Sequence, residues 1–129
     1  MELTDLFDEA EKIEQKTVNL IRSELDSKIN GLELADLPDY ADNNKWLNIL
    51  KINSKIYKKN VLEIIMKLKK NNIEARPIWY PNHLQKKFKS YQKYEIKNAI
   101  KLLNSSLCVP SSTNIKISDL KKVVKALNV

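Results

Sequence analysis

An α+β fold is what these 129 residues predict: a small three-stranded sheet, mixed or antiparallel, packed by helices and preceded by a long N-terminal helix. Two observations lead to that expectation. Short apolar runs at residues 45–52, 73–79 and 107–109 have the length and composition of strands. Stretches of helical periodicity flank and separate them, so the order reads helix, strand, helix, strand, helix, strand, helix. A chain of this length holds one domain and buries about two thirds of the surface its unfolded form exposes. The expected division is an N-terminal helix over 1–31 and the α+β body over 32–129.

The first helix is expected from 4 to 29. Thr4 suits its start, Asp5, Asp8 and Glu9 lie where the helix dipole favours negative charge, and Leu6, Ala10, Ile13, Thr17, Leu20 and Leu25 form one stripe. Asn30 and Gly31 stop it. The stripe suits packing on its own domain or docking on a partner. Residues 32–44 read as a connection, with Pro38 and the polar run Asp42, Asn43 and Asn44. Lys45 to Ile52 reads as a central strand in which Trp46 is expected to be core.

After a turn at Asn53, Ser54 and Lys55, Asn60 and Glu63 form a capping box. The helix that follows would bury Val61, Leu62, Ile65, Met66 and Leu68, and Lys67, Lys69 and Lys70 favour its negative end. Asn71 and Asn72 suit its cap, because asparagine tolerates the left-handed conformation that ends helices. Tyr94 to Leu103 resumes helical spacing and ends at Asn104 and Ser105. Leu107 to Val109 is a short strand stopped by Pro110. Ser118 is expected to cap a last helix that turns Leu120, Val123, Val124 and Leu127 inward.

The stretch between the second and third helices, NNIEARPIWYPNHLQKKF, carries the candidate site. Pro77 lacks a backbone donor, so a strand over 73–79 has to place it at an edge or a bulge. Pro81 pushes Tyr80 into an extended conformation. The stiff backbone from Arg76 to Asn82 thus displays Arg76, Trp79, Tyr80 and His83, a guanidinium, an indole, a phenol and an imidazole suited to an anionic ligand. The alternative is that Trp79 and Tyr80 are packing residues and His83 an ordinary loop residue.

Composition excludes several classes. The net charge is +7, but among 23 basic residues only Arg22 and Arg76 are arginines, and the lysines are spread along every helix. That pattern disfavours nucleic acid, whose readers lean on the bidentate arginine fork. No apolar run is long enough to span a membrane, and the start Met1, Glu2, Leu3, Thr4, Asp5 is unlike a signal peptide, so a cytoplasmic location is expected. Cys108, between Leu107 and Val109, reads as a buried inert thiol. With one cysteine and one histidine, no zinc site is expected.

Two blocks, ARPIWYPNHLQ and LCVPSS with ISDLKKVVKAL after it, resemble the C-terminal part of the DegT/DnrJ/StrS-type sugar aminotransferases. The first block supplies Ile73, Ala75, Arg76, Trp79, Pro81, His83, Leu84 and Gln85. The second supplies Leu107, Val109, Pro110, Ser111, Asp119, Leu120, Val123 and Val124. The resemblance covers essentially this whole chain but only the final third of such an enzyme. It implies the small domain of fold-type I enzymes, which transfer an amino group, usually from glutamate, to a keto group on a nucleotide-linked sugar.

By the same resemblance, pyridoxal phosphate is held by a lysine and an acid in a large domain that has no counterpart here. The expectation is therefore no catalytic residue and no cofactor or metal in this chain, and no activity alone. Arg76, Trp79, Tyr80 and His83 would lie near the sugar-nucleotide entrance, and the implied partners are a second copy or a large-domain chain. A non-catalytic docking module derived from that domain is the alternative, and a basic nucleic-acid-binding protein the least favoured.

Overall fold

Leu50 and Leu107 face each other, fully buried, on the two central strands of a four-stranded antiparallel sheet. The computed structural model describes residues 3–44, 46–112 and 114–128. The strands are β1 (Leu32–Leu34), β2 (Asn48–Ile52), β3 (Arg76–Pro77) and β4 (Ser106–Val109), in the order β1-β2-β4-β3. The helices are α1 (Leu3–Lys28), α2 (Ser54–Tyr57), α3 (Val61–Lys70), α4 (Asn98–Ser105) and α5 (Ile117–Leu127).

One face of the sheet carries the core. Leu32, Leu34, Leu50, Ile52, Leu107 and Val109 alternate inward and meet Ile21 and Leu25 of α1, Ile64 and Leu68 of α3, and Leu120, Val123, Val124 and Leu127 of α5. The inward set of α5 is the one its spacing predicts. Strand β3 lies at the sheet edge, where Pro77 has no neighbour to donate to, as its chemistry requires.

The helix ends follow local chemistry. Asn60 accepts from the Glu63 amide at 3.0 Å while the Glu63 carboxylate accepts from the Asn60 amide at 2.7 Å, the reciprocal cap expected from sequence. Asn71 caps α3 and Asn72 takes the left-handed conformation with φ 56°. Gly31 has φ 88°, and a β-carbon there would stand 2.8 Å from the Tyr57 amide nitrogen.

Several expectations need correction. The sheet has four strands, because Leu32 and Leu34, expected in a connection, alternate with Glu33 and pair with Ile52 and Leu50. Glu33 meets Lys51 across that pair at 2.8 Å. Strand β2 begins at Asn48, and the expected start at Lys45 lies outside the described residues, as do Met1 and Glu2. The run expected over 73–79 pairs only at Arg76 and Pro77.

In α1 the buried side is Thr17, Ile21 and Leu25, while Leu6 and Ile13 are exposed and Thr4 lies inside the helix. In α3, Ile64 turns inward, and Leu62 and Met66 face outward. Helix α4 starts at Asn98, after Glu95 takes a positive φ of 41° that breaks the expected helix. Ser118 lies inside α5, whose preceding residue, Lys116, makes no side-chain cap.

Candidate functional site

Because Arg76 pairs with Cys108 and Pro77 with Leu107, Arg76 shares with Cys108 and Ile49 the sheet face opposite the core. Its guanidinium is three-quarters exposed, and Nε and Nη2 donate to Glu74 Oε1 at 2.8 and 2.6 Å. Two of its five N–H donors are so engaged. Glu74, Arg76, Cys108, Pro110, Ser111 and Ser112 line an open groove of 310 Å³ at this edge. Burial pushes the Cys108 thiol above its ordinary value, so it is a poor nucleophile there.

Trp79 stands beside this edge, 73% exposed, and meets Trp46 edge to face at 5.7 Å between ring centres. Trp46, expected in the core, is 59% exposed. The reason is that β2 starts two residues later, so the strand alternation that would bury it does not yet hold. Its position is fixed through the backbone: Ser111 Oγ donates to the Trp46 carbonyl at 2.6 Å, and the buried Asn48 Nδ2 donates to the Pro110 carbonyl at 3.2 Å. Those two bonds lace the 110–111 segment to the 46–48 segment, and so join Trp46 to the rim of the Arg76 groove.

Tyr80 is half exposed, and its carbonyl accepts from Gln85 Nε2 at 3.1 Å. Gln85 also donates to Asn82 Oδ1 at 2.9 Å, which folds the 80–85 loop on itself. His83 lines a different groove, with Phe88, Tyr91, Lys93 and Ile96, and its Nε2 is buried without a partner. The four expected site residues therefore divide. Arg76 and Trp79 flank one edge of the sheet, and His83 belongs to the loop beyond. Sequence reasoning missed Trp46 as a member of the edge; the polar run before it, ADNN, is the one signal that it precedes the strand.

A one-sided core, a short antiparallel sheet and an exposed guanidinium and indole pair define a small α+β domain with an open edge. The chain belongs to the DegT/DnrJ/EryC1/StrS aminotransferase family, whose sequence pattern matches residues 4–128. EpsN of Bacillus subtilis (strain 168), which bears the name of a pyridoxal phosphate-dependent aminotransferase, is 29% identical over 97 residues, 70% of this chain and 24% of that protein. The fold is also that of DesI, solved in the presence of its TDP-sugar product, with a TM-score of 0.85 at 20% identity over 96% of this chain and 32% of that one.

PseC of Helicobacter pylori, an aminotransferase involved in the biosynthesis of pseudoaminic acid, superposes with a TM-score of 0.75 at 10% identity, over 90% of this chain and 31% of its own. The chain thus spans a quarter to a third of the relatives it matches.

Pyridoxal phosphate, the cofactor named for EpsN, requires a lysine for its Schiff base and an acid at its ring nitrogen, in a site closed to water. Among the described residues no lysine is buried, and the Lys51–Glu33 and Lys122–Asp119 pairs stand on open surface. The described residues thus offer no lysine closed to water. Nor do they include a group of three or more His, Cys, Asp or Glu able to hold a metal, or a helix long and apolar enough to cross a membrane.

Proposed function

We propose that this chain is the small, substrate-closing domain of a pyridoxal phosphate-dependent sugar aminotransferase. In this reading it contributes binding surface to the amination of a keto group on a nucleotide-linked sugar, with glutamate as amino donor. The observation that carries the reading is the open edge, where Arg76 lines a groove and Trp79 and Trp46 stand exposed against each other. Exposed indole rings leave apolar surface in water, and with a guanidinium nearby they suit a ligand or a facing surface.

Arg76 offers a planar fork to a phosphate or carboxylate. Trp79 and Tyr80 offer flat surface to a sugar or base. The His83 imidazole, which lines the neighbouring groove, offers a donor to a phosphate oxygen. The cofactor, when bound in the complete enzyme, supplies the electron sink for amino transfer, and a large domain or a separate large-domain chain holds it. These residues orient substrate and exclude water, and perform no covalent step themselves.

Titrating the chain with uridine and thymidine diphosphate sugars, followed by NMR shifts, tests the reading. Weak binding is expected, with Arg76→Ala weakening it about tenfold, the worth of one charge-assisted hydrogen bond. Shifts that never reach Arg76, Trp79 or His83 overturn the site. Separately, incubation with pyridoxal phosphate, reduction and mass spectrometry should give no stoichiometric adduct at a single lysine. Such an adduct would overturn the division of labour while leaving the binding site standing.

A further inference from the structure

The stretch from Lys86 to Lys101, KKFKSYQKYEIKNAIK, holds six lysines and a single acid, Glu95. The net charge of the whole chain is +7, so these sixteen residues carry most of its excess. All six lysines, at 86, 87, 89, 93, 97 and 101, are exposed. Glu95 stands 3.9 Å from Lys97 on open surface, where such a pair contributes little. Like charges this dense repel one another in the folded chain and favour an anionic surface laid against them.

The fold gathers this stretch on one side of the molecule. Helix α4 contacts β2 and β4 and gives no side chain to the core, so it lies over the sheet face that the core leaves free. Lys97 and Lys101 are one helical turn apart at its start, the Lys101 amide donating to the Lys97 carbonyl at 3.2 Å. Just before them, the Phe88 and Tyr91 rings stand 5.9 Å apart, and the Lys87 ammonium is 5.9 Å from the centre of the Phe88 ring. Lys93 lines the same groove as those two rings. Tyr91 and Tyr94 are 66% and 84% exposed.

We propose that this stretch is a peripheral docking surface for an anionic lipid bilayer, with the lysines against acidic phospholipid headgroups and Tyr91 and Tyr94 entering the headgroup layer. An ammonium is a point charge that demands no fixed geometry of its partner, which suits a fluid sheet of phosphates. Tyrosine rings, apolar in body and polar at the tip, sit well at that depth. Nucleic acid fits less well. The stretch has no arginine to fork onto a backbone phosphate, and Phe88 offers no free platform for a base, with Lys87 over its ring and Tyr91 inclined at 60° to it. Charge joined to two exposed rings gives weak, reversible binding. None of these lysines lines the Arg76 groove, so the inference is independent of the nucleotide-sugar reading.

Co-sedimentation of the full chain with vesicles of equal parts phosphatidylglycerol and phosphatidylcholine is the test, with phosphatidylcholine alone as reference. Binding to the anionic vesicles only, weakened by added salt, is expected. A lysine near an anionic surface is worth about fivefold in partitioning, so Lys86→Gln, Lys89→Gln and Lys97→Gln together should weaken binding about a hundredfold. A second triple variant, Lys70→Gln, Lys121→Gln and Lys125→Gln, has the same net charge but changes exposed positions on α3 and α5, on the covered side of the sheet. It should bind within about twofold of the parent chain, because those charges lie beyond screening distance of the bilayer. Tyr94→Ser should weaken binding about fivefold.

Urea midpoints are expected to be unchanged in all three variants, since every substituted side chain is exposed. Equal losses in the two triple variants would reduce the effect to net charge and overturn the proposal. So would binding to neutral vesicles, no binding at all, or a Tyr94 variant that binds as the parent does. Displacement from the vesicles by inorganic phosphate at constant ionic strength would assign the lysines to a free anion, and preference for an oligouridine at equal phosphate concentration would assign them to nucleic acid. Either result overturns the bilayer.

Discussion

The helix-covered face of the sheet and its open edge are built from the same strands and obey different rules. On the covered face, residues from four helices and three strands fill one core, and Leu50, Leu107, Ile64, Leu68 and Leu127 have no exposed surface. At the edge, Arg76, Trp79 and Trp46 are held mainly through backbone: a two-residue strand, two prolines and the bonds that tie Ser111 and Asn48 to the neighbouring segment. Side-chain identity is thus fixed by packing on one side and left free for binding on the other. That freedom is why the edge, and not the core, is read as functional.

The sharpest test of the contrast is Leu107→Ala. Truncating a fully buried leucine on a central strand removes transfer free energy and leaves a cavity, a cost of about 2–5 kcal/mol measurable by urea denaturation. A loss below about 1 kcal/mol would mean that the core can collapse around the gap, and that the covered face is no tighter than the edge. Gly31→Ala comes next. The residue has a positive φ, and its new β-carbon would meet the Tyr57 backbone at 2.8 Å, so a loss of about 1–3 kcal/mol is expected in the same assay.

The core was easier to read from sequence than the edge. The inward set of α5, the capping box at Asn60 and the edge position forced on Pro77 follow from period, cap chemistry and a missing donor, all of which are local. What was missed depends on where neighbours lie. Period alone cannot say which side of α3 meets the sheet, so Leu62 and Met66 were assigned inward and Ile64 was not.

Leu32–Leu34 was too short a run to stand out, and it becomes a strand only because β2 offers it a partner. At the site, the sequence put Arg76, Trp79, Tyr80 and His83 on one loop. Only the fold separates His83 into its own groove and brings Trp46 from more than thirty residues away to Trp79.

A smaller effect is expected where the core ends. The Tyr57 hydroxyl donates to the carbonyl of Leu127, tying the short helix α2 to the last turn of α5. Tyr57→Phe should cost about 1 kcal/mol. Burial raises the Tyr57 hydroxyl above its ordinary value of 10.0, so the neutral form is the one folding favours. That contribution is complete below pH 10.0 and is lost as pH rises through the raised folded value. Urea midpoints followed upward from pH 9 should fall less steeply in the phenylalanine variant. Equal slopes would show that the phenol is solvated and that the covered face ends before α2.

The smallest effect is expected at the edge, and it is the one that defines the contrast. Trp79→Ala and Arg76→Ala should each change stability by no more than about 0.5 kcal/mol. Trp79 is mostly in water, so little transfer free energy is lost on truncation, and its contact with Trp46 joins two rings that are both largely solvated. The Arg76–Glu74 pair is equally exposed and is screened by solvent. A loss of 1 kcal/mol or more in either variant, well above the worth of such surface contacts, would make the edge a structural element. The exposure of its aromatic and guanidinium groups would then stop being evidence for a ligand. Neutral stability joined to weakened nucleotide-sugar binding would leave binding as the reason these side chains stand in water.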